Sequence, residues 1–124
     1  MRSYEILPRG AADIAVRWGR LTNGEVGQPF ETLQYVDNVI GLKGLARLAV
    51  TFSGNLGEAS TTMRLRGSND RGTWVDVLAT DGDPIECTGG GHFMAKDFPR
   101  YVRPEVDTDG PAVSITIELS GYLS

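Results

Sequence analysis

The sequence predicts an all-β protein, an antiparallel β-sandwich of the jelly-roll type with eight or nine short strands. Apolar and polar residues alternate along much of the chain, which is typical of strands that bury one face. Short turn sequences rich in Gly, Asn and Asp separate the alternating segments. Strands of this length at this spacing form sandwiches or barrels, although the pattern does not predict their order within the sheets.

Strict alternation predicts four of the strands, at residues 14–18, 45–53, 62–66 and 112–120. In the last of these, Ile115, Ile117 and Leu119 alternate with Thr116 and Glu118. Weaker alternation predicts five more strands, at residues 29–34, 74–79, 84–88, 92–96 and 101–106.

One segment, residues 39–50, has apolar residues that fit either a helix or a strand. Gly41 and Gly44 would each cost about 1 kcal/mol inside a helix. We therefore expect the first part of this segment to be a loop and the strand to begin at Leu45.

The hairpin at residues 65–75 is the most informative segment of the chain. Asn69 and Asp70 tolerate the backbone conformations of a tight turn, and the strand that follows begins at Trp74. We expect Trp74 to anchor this strand in the core. Trp18, Phe52 and Tyr101 lie in alternating apolar patterns and are predicted to be core residues as well.

A chain of 124 residues fits a single domain, which we assign to residues 11–124. Residues 1–10 precede the first clear strand and are predicted to form an N-terminal arm. The arm carries Tyr4, Ile6 and Leu7, and Pro8 stiffens it. Two alternatives stay open: the arm packs on a partner, or it lies along its own sheet.

The charge and composition argue against two kinds of partner. A net charge of −4 makes direct binding to nucleic acid improbable, because such binding depends on Lys and Arg contacts with phosphates. The chain has no apolar run long enough to span a membrane. Of its 12 basic residues only Lys43 and Lys96 are lysines, which reflects either codon usage or the preference of interfaces for arginine.

Candidate catalytic and metal-binding residues are few, and we predict that the protein is not an enzyme and has no cofactor. Cys87 and His92 are the sole cysteine and histidine, joined by a glycine-rich connection. A structural zinc site needs about four such ligands. We expect a small buried thiol and a surface imidazole. Asp81 and Asp83, or Asp107 and Asp109, could offer oxygen atoms to calcium, but such sequences also form ordinary turns.

Three segments, in order, resemble a family of small structural proteins of tailed bacteriophages. Residues 17–30 read RWGRLTNGEVGQPF and resemble the first strand, turn and second strand of that family. Residues 48–54 (LAVTFSG) and 63–75 (with GSND and a following Trp) resemble a strand pair and its hairpin. Residues 99–104 (PRYVRP) precede the alternating last strand. The family consists of capsid decoration, or cement, proteins with a jelly-roll sandwich.

The resemblance implies a virion protein on the outer surface of the capsid, assembled in the host cytoplasm. It would bind the major capsid protein and bridge its subunits, with no membrane or direct nucleic-acid contact. Symmetry favours a dimer at a two-fold axis, with a trimer as the alternative. Our interface candidates are apolar residues of the arm and arginines at outward positions: Tyr4, Ile6, Leu7, Arg20, Arg64 and Arg66.

Two other functions are compatible with the same sequence. The GSND hairpin with its following Trp also occurs in discoidin-like carbohydrate-binding sandwiches, so the protein could bind a glycan while displayed on a virion. That function would need exposed aromatic residues in a concave site. A head-tail or tail component is the third alternative and would be expected to form rings.

Overall fold

The structure is a computed structural model that describes residues 1–8, 10, 12–22, 24–35, 42–55, 62–88, 90–107 and 114–123. All regular secondary structure in these residues is β. The twelve strands are β1 (Glu5–Ile6), β2 (Ile14–Leu21), β3 (Phe30–Glu31), β4 (Leu33–Tyr35), β5 (Leu42–Gly44), β6 (Arg47–Asn55), β7 (Thr62–Ser68), β8 (Val75–Asp76), β9 (Glu86–Cys87), β10 (Gly91–Met94), β11 (Tyr101–Asp107) and β12 (Ser114–Tyr122). No helix in the described residues is long and apolar enough to cross a membrane.

The strands form two antiparallel sheets and a small ribbon. The first sheet has the order β1-β2-β12-β6-β10, and the second has the order β3-β11-β7-β8. Strand β9 pairs with β7 beside β8, and β4 pairs with β5 to form the ribbon. The chain crosses from one sheet to the other after β2, β6, β9, β10 and β11, and it returns from β3 to β6 by way of the ribbon, so most neighbours in each sheet are not consecutive in sequence. This order is that of a jelly roll, which confirms the predicted fold class.

Each of the nine predicted strand segments contains a strand, but the count of eight or nine was too low. The segment 29–34 contains two strands, β3 and β4, and β5 lies where a loop was predicted. Strand β1 lies in the predicted arm. The strands that alternation did not reveal, β1 and β5, have two and three residues. Residues 39–41 and 112–113, which belong to two of the predictions, lie outside the described residues.

The core lies between the two sheets and is filled by the inward-facing residues of the long strands. Trp18, Phe52, Leu65, Val102 and Ile117 are all buried, and each comes from a different strand. The predictions for Trp18 and Phe52 are therefore confirmed. Inward and outward positions alternate along β11 and along most of β2 and β7, as is usual in a sandwich.

The predictions for Trp74 and Tyr101 were wrong, because both side chains lie at the surface and are half-buried. On β11 the buried residues are Val102, Pro104 and Val106, so Tyr101 belongs to the opposite, outward face. Trp74 precedes β8 at the edge of the second sheet. Neither residue is part of the core cluster.

The N-terminal arm packs along its own sheet. Glu5 and Ile6 pair with Arg17 and Val16 as an edge strand. The Tyr4 ring makes edge-to-face contacts with Trp18 at 5.6 Å between ring centroids and with Phe30 at 5.7 Å. Of the two alternatives for the arm, the described residues therefore follow the second.

Candidate interaction surface

The outer face of the second sheet carries a set of paired charges. Arg64 and Arg66 on β7 point outward, as do Arg103 and Glu105 on β11. The register places Arg103 opposite Arg66, a like-charge arrangement that would be repulsive without counterions. Each arginine has a carboxylate close by. The ion pairs are Arg64–Glu86 at 3.7 Å, Arg66–Asp76 at 3.4 Å and Arg103–Glu105 at 3.3 Å.

The β7–β8 hairpin turn at one end of this face is built around Asp70. Its Oδ1 accepts hydrogen bonds from the backbone N–H groups of Gly72 at 2.8 Å and Thr73 at 2.9 Å, and from the hydroxyl of Ser68 at 2.8 Å. These bonds favour the carboxylate form, with the Thr73 N–H contributing most, and lower the pKa of Asp70 to about 2. Ser68 Oγ also accepts the N–H of Arg71 at 2.9 Å.

The turn places Arg71 in a left-handed conformation with a φ of 62°. Residues other than Gly, Asn and Asp rarely adopt this conformation, which persists only when the surroundings determine it. Here the hydrogen bonds of Ser68 and Asp70 on both sides of Arg71 do so. The Arg71 guanidinium lies 5.1 Å from the centre of the Tyr101 ring.

Trp74 follows the turn and is fixed by two arginines. Arg66 donates a hydrogen bond from Nη2 to the Trp74 carbonyl oxygen at 2.9 Å. The Arg103 guanidinium lies over the Trp74 ring, 4.0 Å from its centre, at a distance typical of cation–π contacts. The indole is therefore oriented from the neighbouring strands β7 and β11 together.

A further ion pair, Arg100–Glu31, lies beside Tyr101. Arg100 donates two hydrogen bonds to Glu31 Oε1, at 2.8 and 3.0 Å, and its guanidinium lies 5.4 Å from the centre of the Tyr101 ring. The hydrogen bond with Glu31 is the main reason that the pKa of Arg100 is raised above its usual value. Arg100 and Arg71 thus both contact the Tyr101 ring.

These residues border an open groove with a volume of about 510 Å³ between the hairpin turn, β3, β11 and the N-terminal arm. Its aromatic and charged lining residues are Tyr4, Glu31, Arg71, Trp74, Tyr101 and Arg103. Gln28, Pro29 and Met1, which is 78% exposed, complete the lining. Trp, Tyr and Arg are the residues most enriched in the energetic centres of protein interfaces. We refer to this feature as the aromatic–arginine groove.

The positive charge of Arg71 in the aromatic–arginine groove has no carboxylate near it among the described residues. Glu31 pairs with Arg100, and Arg103 pairs with Glu105. Within the part of the chain that the structure describes, no carboxylate lies within 4.0 Å of the Arg71 guanidinium. The groove is therefore locally cationic on a chain whose net charge is −4.

The predicted interface residues of the arm lie in different environments. Tyr4 lines the aromatic–arginine groove and packs on Trp18 and Phe30. Ile6 is 72% exposed on the edge strand β1. Leu7 is half-buried, and its N–H donates to the Ala15 carbonyl at 2.8 Å.

The three predicted arginines do not form one cluster either. Arg20 is exposed, with a φ of 60°, at a β-bulge where β2 has one more residue than β12 between paired positions. Its carbonyl oxygen accepts a hydrogen bond from Arg2 at 3.1 Å. Arg64 and Arg66 are half-buried and ion-paired on the second sheet, and Arg66 also supports Trp74.

Sequence reasoning missed Arg71 and Arg103, and it placed Trp74 and Tyr101 in the core. The alternation on β11 contained a usable signal, because inward Val102 and Val106 require outward Tyr101 and Arg103. The position of Arg71 had no such signal, since a turn residue's contacts depend on which strand lies beside the turn.

Cys87 and His92 have separate local contacts. His92 is exposed, and its Nδ1 lies 2.7 Å from Thr51 Oγ1 on the neighbouring strand β6. Cys87 is half-buried against the core, which makes its thiol less buried than expected. Among the residues that the structure describes, no group of three or more His, Cys, Asp or Glu side chains is arranged to bind a metal ion.

No protein-family model matches this chain, and no curated protein matches it. Among solved structures, the chain is similar to the crystal structure of the SPBc2 prophage-derived protein YomS. The TM-score is 0.51 at 14% sequence identity, and the match covers 85% of this chain and 91% of that chain. A likeness at this level of identity shows a common fold across most of both chains.

Proposed function

We propose that this protein is a structural component of a tailed-phage virion that decorates the outer surface of the capsid and cements neighbouring major capsid subunits. The observation that carries the proposal is the jelly-roll fold, which a prophage-derived protein shares over 85% of this chain. The three sequence segments that resemble the cement protein family give independent support, because that resemblance depends on residue identities and not on the structure.

The surface suits binding to a protein shell. A cement protein needs a rigid body and several modest contacts that capsid symmetry repeats. When one contact has formed, it raises the effective concentration of the remaining binding sites on the same protein, so each single contact can be weak. The aromatic–arginine groove offers one such contact, and the exposed Ile6 on the edge strand β1 offers another.

The proposed partners are the major capsid protein and a second copy of this chain. A dimer at a two-fold axis is the simplest arrangement, and a trimer at a three-fold axis is the alternative. The proposed place of assembly is the host cytoplasm, and neither nucleic acid nor a membrane is a proposed partner.

The experiment compares phage particles with and without this protein. We expect particles that lack it to lose infectivity at lower temperature and to be more sensitive to osmotic shock. Adding purified protein to these particles should restore resistance, with a saturating number of bound copies. Equal survival of the two kinds of particle would contradict the stabilising role.

Carbohydrate binding is the second candidate, favoured by the half-buried Trp74 and Tyr101 in a groove. Two observations argue against carbohydrate binding. Trp18 is completely buried, and Arg103 covers one face of the Trp74 ring, where a sugar would stack. A glycan array in which Trp74→Ala abolishes a positive signal would favour carbohydrate binding over the capsid role of the groove.

A further inference from the structure

We propose that the aromatic–arginine groove binds an extended acidic segment of the major capsid subunit, and that a carboxylate of this segment pairs with Arg71. The inference rests on the proposed function and adds the site of contact and the chemistry of the partner. Its support comes from charge, ring geometry, size and preorganisation.

The charge of the groove selects an acidic partner. Arg71 is the groove arginine with no carboxylate within 4.0 Å among the described residues, whereas Arg103 has Glu105. A guanidinium that is already oriented gains most from a carboxylate, which it can bind through two parallel hydrogen bonds.

The contact with the Tyr101 ring leaves the hydrogen-bond donors of Arg71 available to a partner. The Arg71 guanidinium lies 5.1 Å from the centre of the Tyr101 ring, and the Arg103 guanidinium lies 4.0 Å from the centre of the Trp74 ring. A contact with an aromatic ring does not use up the N–H donors of a guanidinium. Two donors of Arg103 already bind Glu105, whereas Arg71 has no carboxylate within 4.0 Å among the described residues. The same ring contacts reduce the ring surface that is available to a neutral sugar.

The size and the apolar part of the groove suit a peptide. A volume of about 510 Å³ falls in the range of ligand sites that hold several side chains. Met1 and Tyr4 add apolar surface to the groove, and Met1 is 78% exposed. A segment that alternates acidic and apolar residues would cover both sides.

The hairpin turn is preorganised for binding. The hydrogen bonds to Asp70 and Ser68 keep the turn in one conformation and Arg71 at a φ of 62°. A contact residue that is already ordered loses little entropy when the partner binds.

The first test measures binding of variants to capsids that lack this protein. We expect Arg71→Glu to lower the affinity by at least about tenfold, because it replaces an attraction by a repulsion. Arg71→Gly should also weaken binding, and glycine suits a φ of 62°, so that the turn is kept. The matched control is Arg47→Glu, since Arg47 is exposed and stacks on Tyr122 in the first sheet at 4.6 Å. We expect the affinity of the Arg47→Glu variant for these capsids to stay within about twofold of the affinity of the unchanged protein.

The outcomes of this test separate the two proposals. If the unchanged protein does not bind these capsids, the proposed function fails and the inference fails with it. If the unchanged protein binds and both Arg71 variants bind equally well, the inference alone fails. Thermal unfolding of each variant shows whether the fold is intact.

The second test uses a pair of blocked pentapeptides with the sequence Ala-Leu-Glu-Leu-Ala or the same sequence with Gln in place of Glu. In NMR titrations we expect the Glu peptide to shift the Trp74 indole and Arg71 resonances and to bind about tenfold tighter than the Gln peptide. Equal affinities, or no shifts at millimolar peptide, would overturn the inference. Shifts caused by maltotriose but not by the Glu peptide would overturn it in favour of carbohydrate binding.

Discussion

At the scale of single residues, Asp70 has the largest effect on the shape of the candidate site. Its carboxylate accepts two backbone N–H groups and one hydroxyl within a turn of six residues, from Ser68 to Thr73. These bonds determine where Arg71 and Trp74 lie. The side chain is exposed, so its importance comes from local hydrogen bonding and not from packing.

We predict that Asp70→Ala lowers the thermal unfolding temperature at pH 7 by a few degrees. The pKa of Asp70 in the folded protein, about 2, lies below its usual value of 3.8. The carboxylate therefore stabilises the fold above pH 3.8, and this contribution is lost as the pH falls from 3.8 to 2. The difference in unfolding temperature between the two proteins should narrow over that interval, as scanning calorimetry can measure.

Asp81→Ala is the matched control for this prediction. Asp81 lies in another exposed turn and accepts one backbone N–H, that of Asp83, at 2.9 Å. We expect a smaller decrease in unfolding temperature than for Asp70→Ala. A difference between Asp70→Ala and the unchanged protein that stays constant from pH 7 to pH 2 would contradict the assigned role of Asp70.

At the scale of strands, the central strand β12 constrains its neighbours most tightly. It lies between β2 and β6 and pairs with both along most of its length. Gly54 on β6 has a φ of 117°, and a Cβ at this position would collide with the carbonyl oxygen of Ser114 on β12. Both the backbone conformation and the close approach require glycine.

We predict that Gly54→Ala lowers the free energy of unfolding by about 2 kcal/mol or more, because the backbone of β12 would have to move. Urea unfolding followed by tryptophan fluorescence gives the measurement. Gly19→Ala is the control on β2, where a Cβ meets nothing within 4 Å and should change stability by less than about 0.5 kcal/mol. Equal effects of the two substitutions would show that the β6–β12 contact is less tight than the structure indicates.

At the scale of the whole molecule, apolar side chains have two distinct roles. Most fill the space between the sheets, as Ile117 does with 0% exposure on the central strand β12. A few stay outside, such as Ile6 with 72% exposure at the edge of the first sheet. The first group determines stability, and the second is available to partners.

We predict that Ile117→Ala lowers the free energy of unfolding by about 2–5 kcal/mol, because it leaves a cavity in the core. Ile6→Ala makes the same chemical change on the surface and should alter stability by less than about 0.5 kcal/mol. Denaturant unfolding compares the two variants. A loss of more than about 2 kcal/mol for Ile6→Ala would mean that the arm is an integral part of the core.

The fold could be predicted to a large extent, and the candidate site only in part. Alternation in residues 14–18 and 62–66 reports burial of one face directly, since side chains of a strand point to opposite sides. It could not reveal β1 or β5, which have two and three residues. Trp74 was predicted to be buried on its residue type, but its place at a sheet edge follows from the pairing of β7 with β8.

By itself, the sequence determined that the chain forms strands, which of their faces are apolar and where the chain turns, because these properties depend on residues close together in the chain. The tertiary structure decided the order of strands and the composition of the groove. The groove combines residues 1–4, 28–31, 71–74 and 101–103, which are distant in sequence and adjacent only after β3, β7 and β11 have paired. Local alternation carries no information about such pairing, because many registers and strand orders bury the same apolar faces.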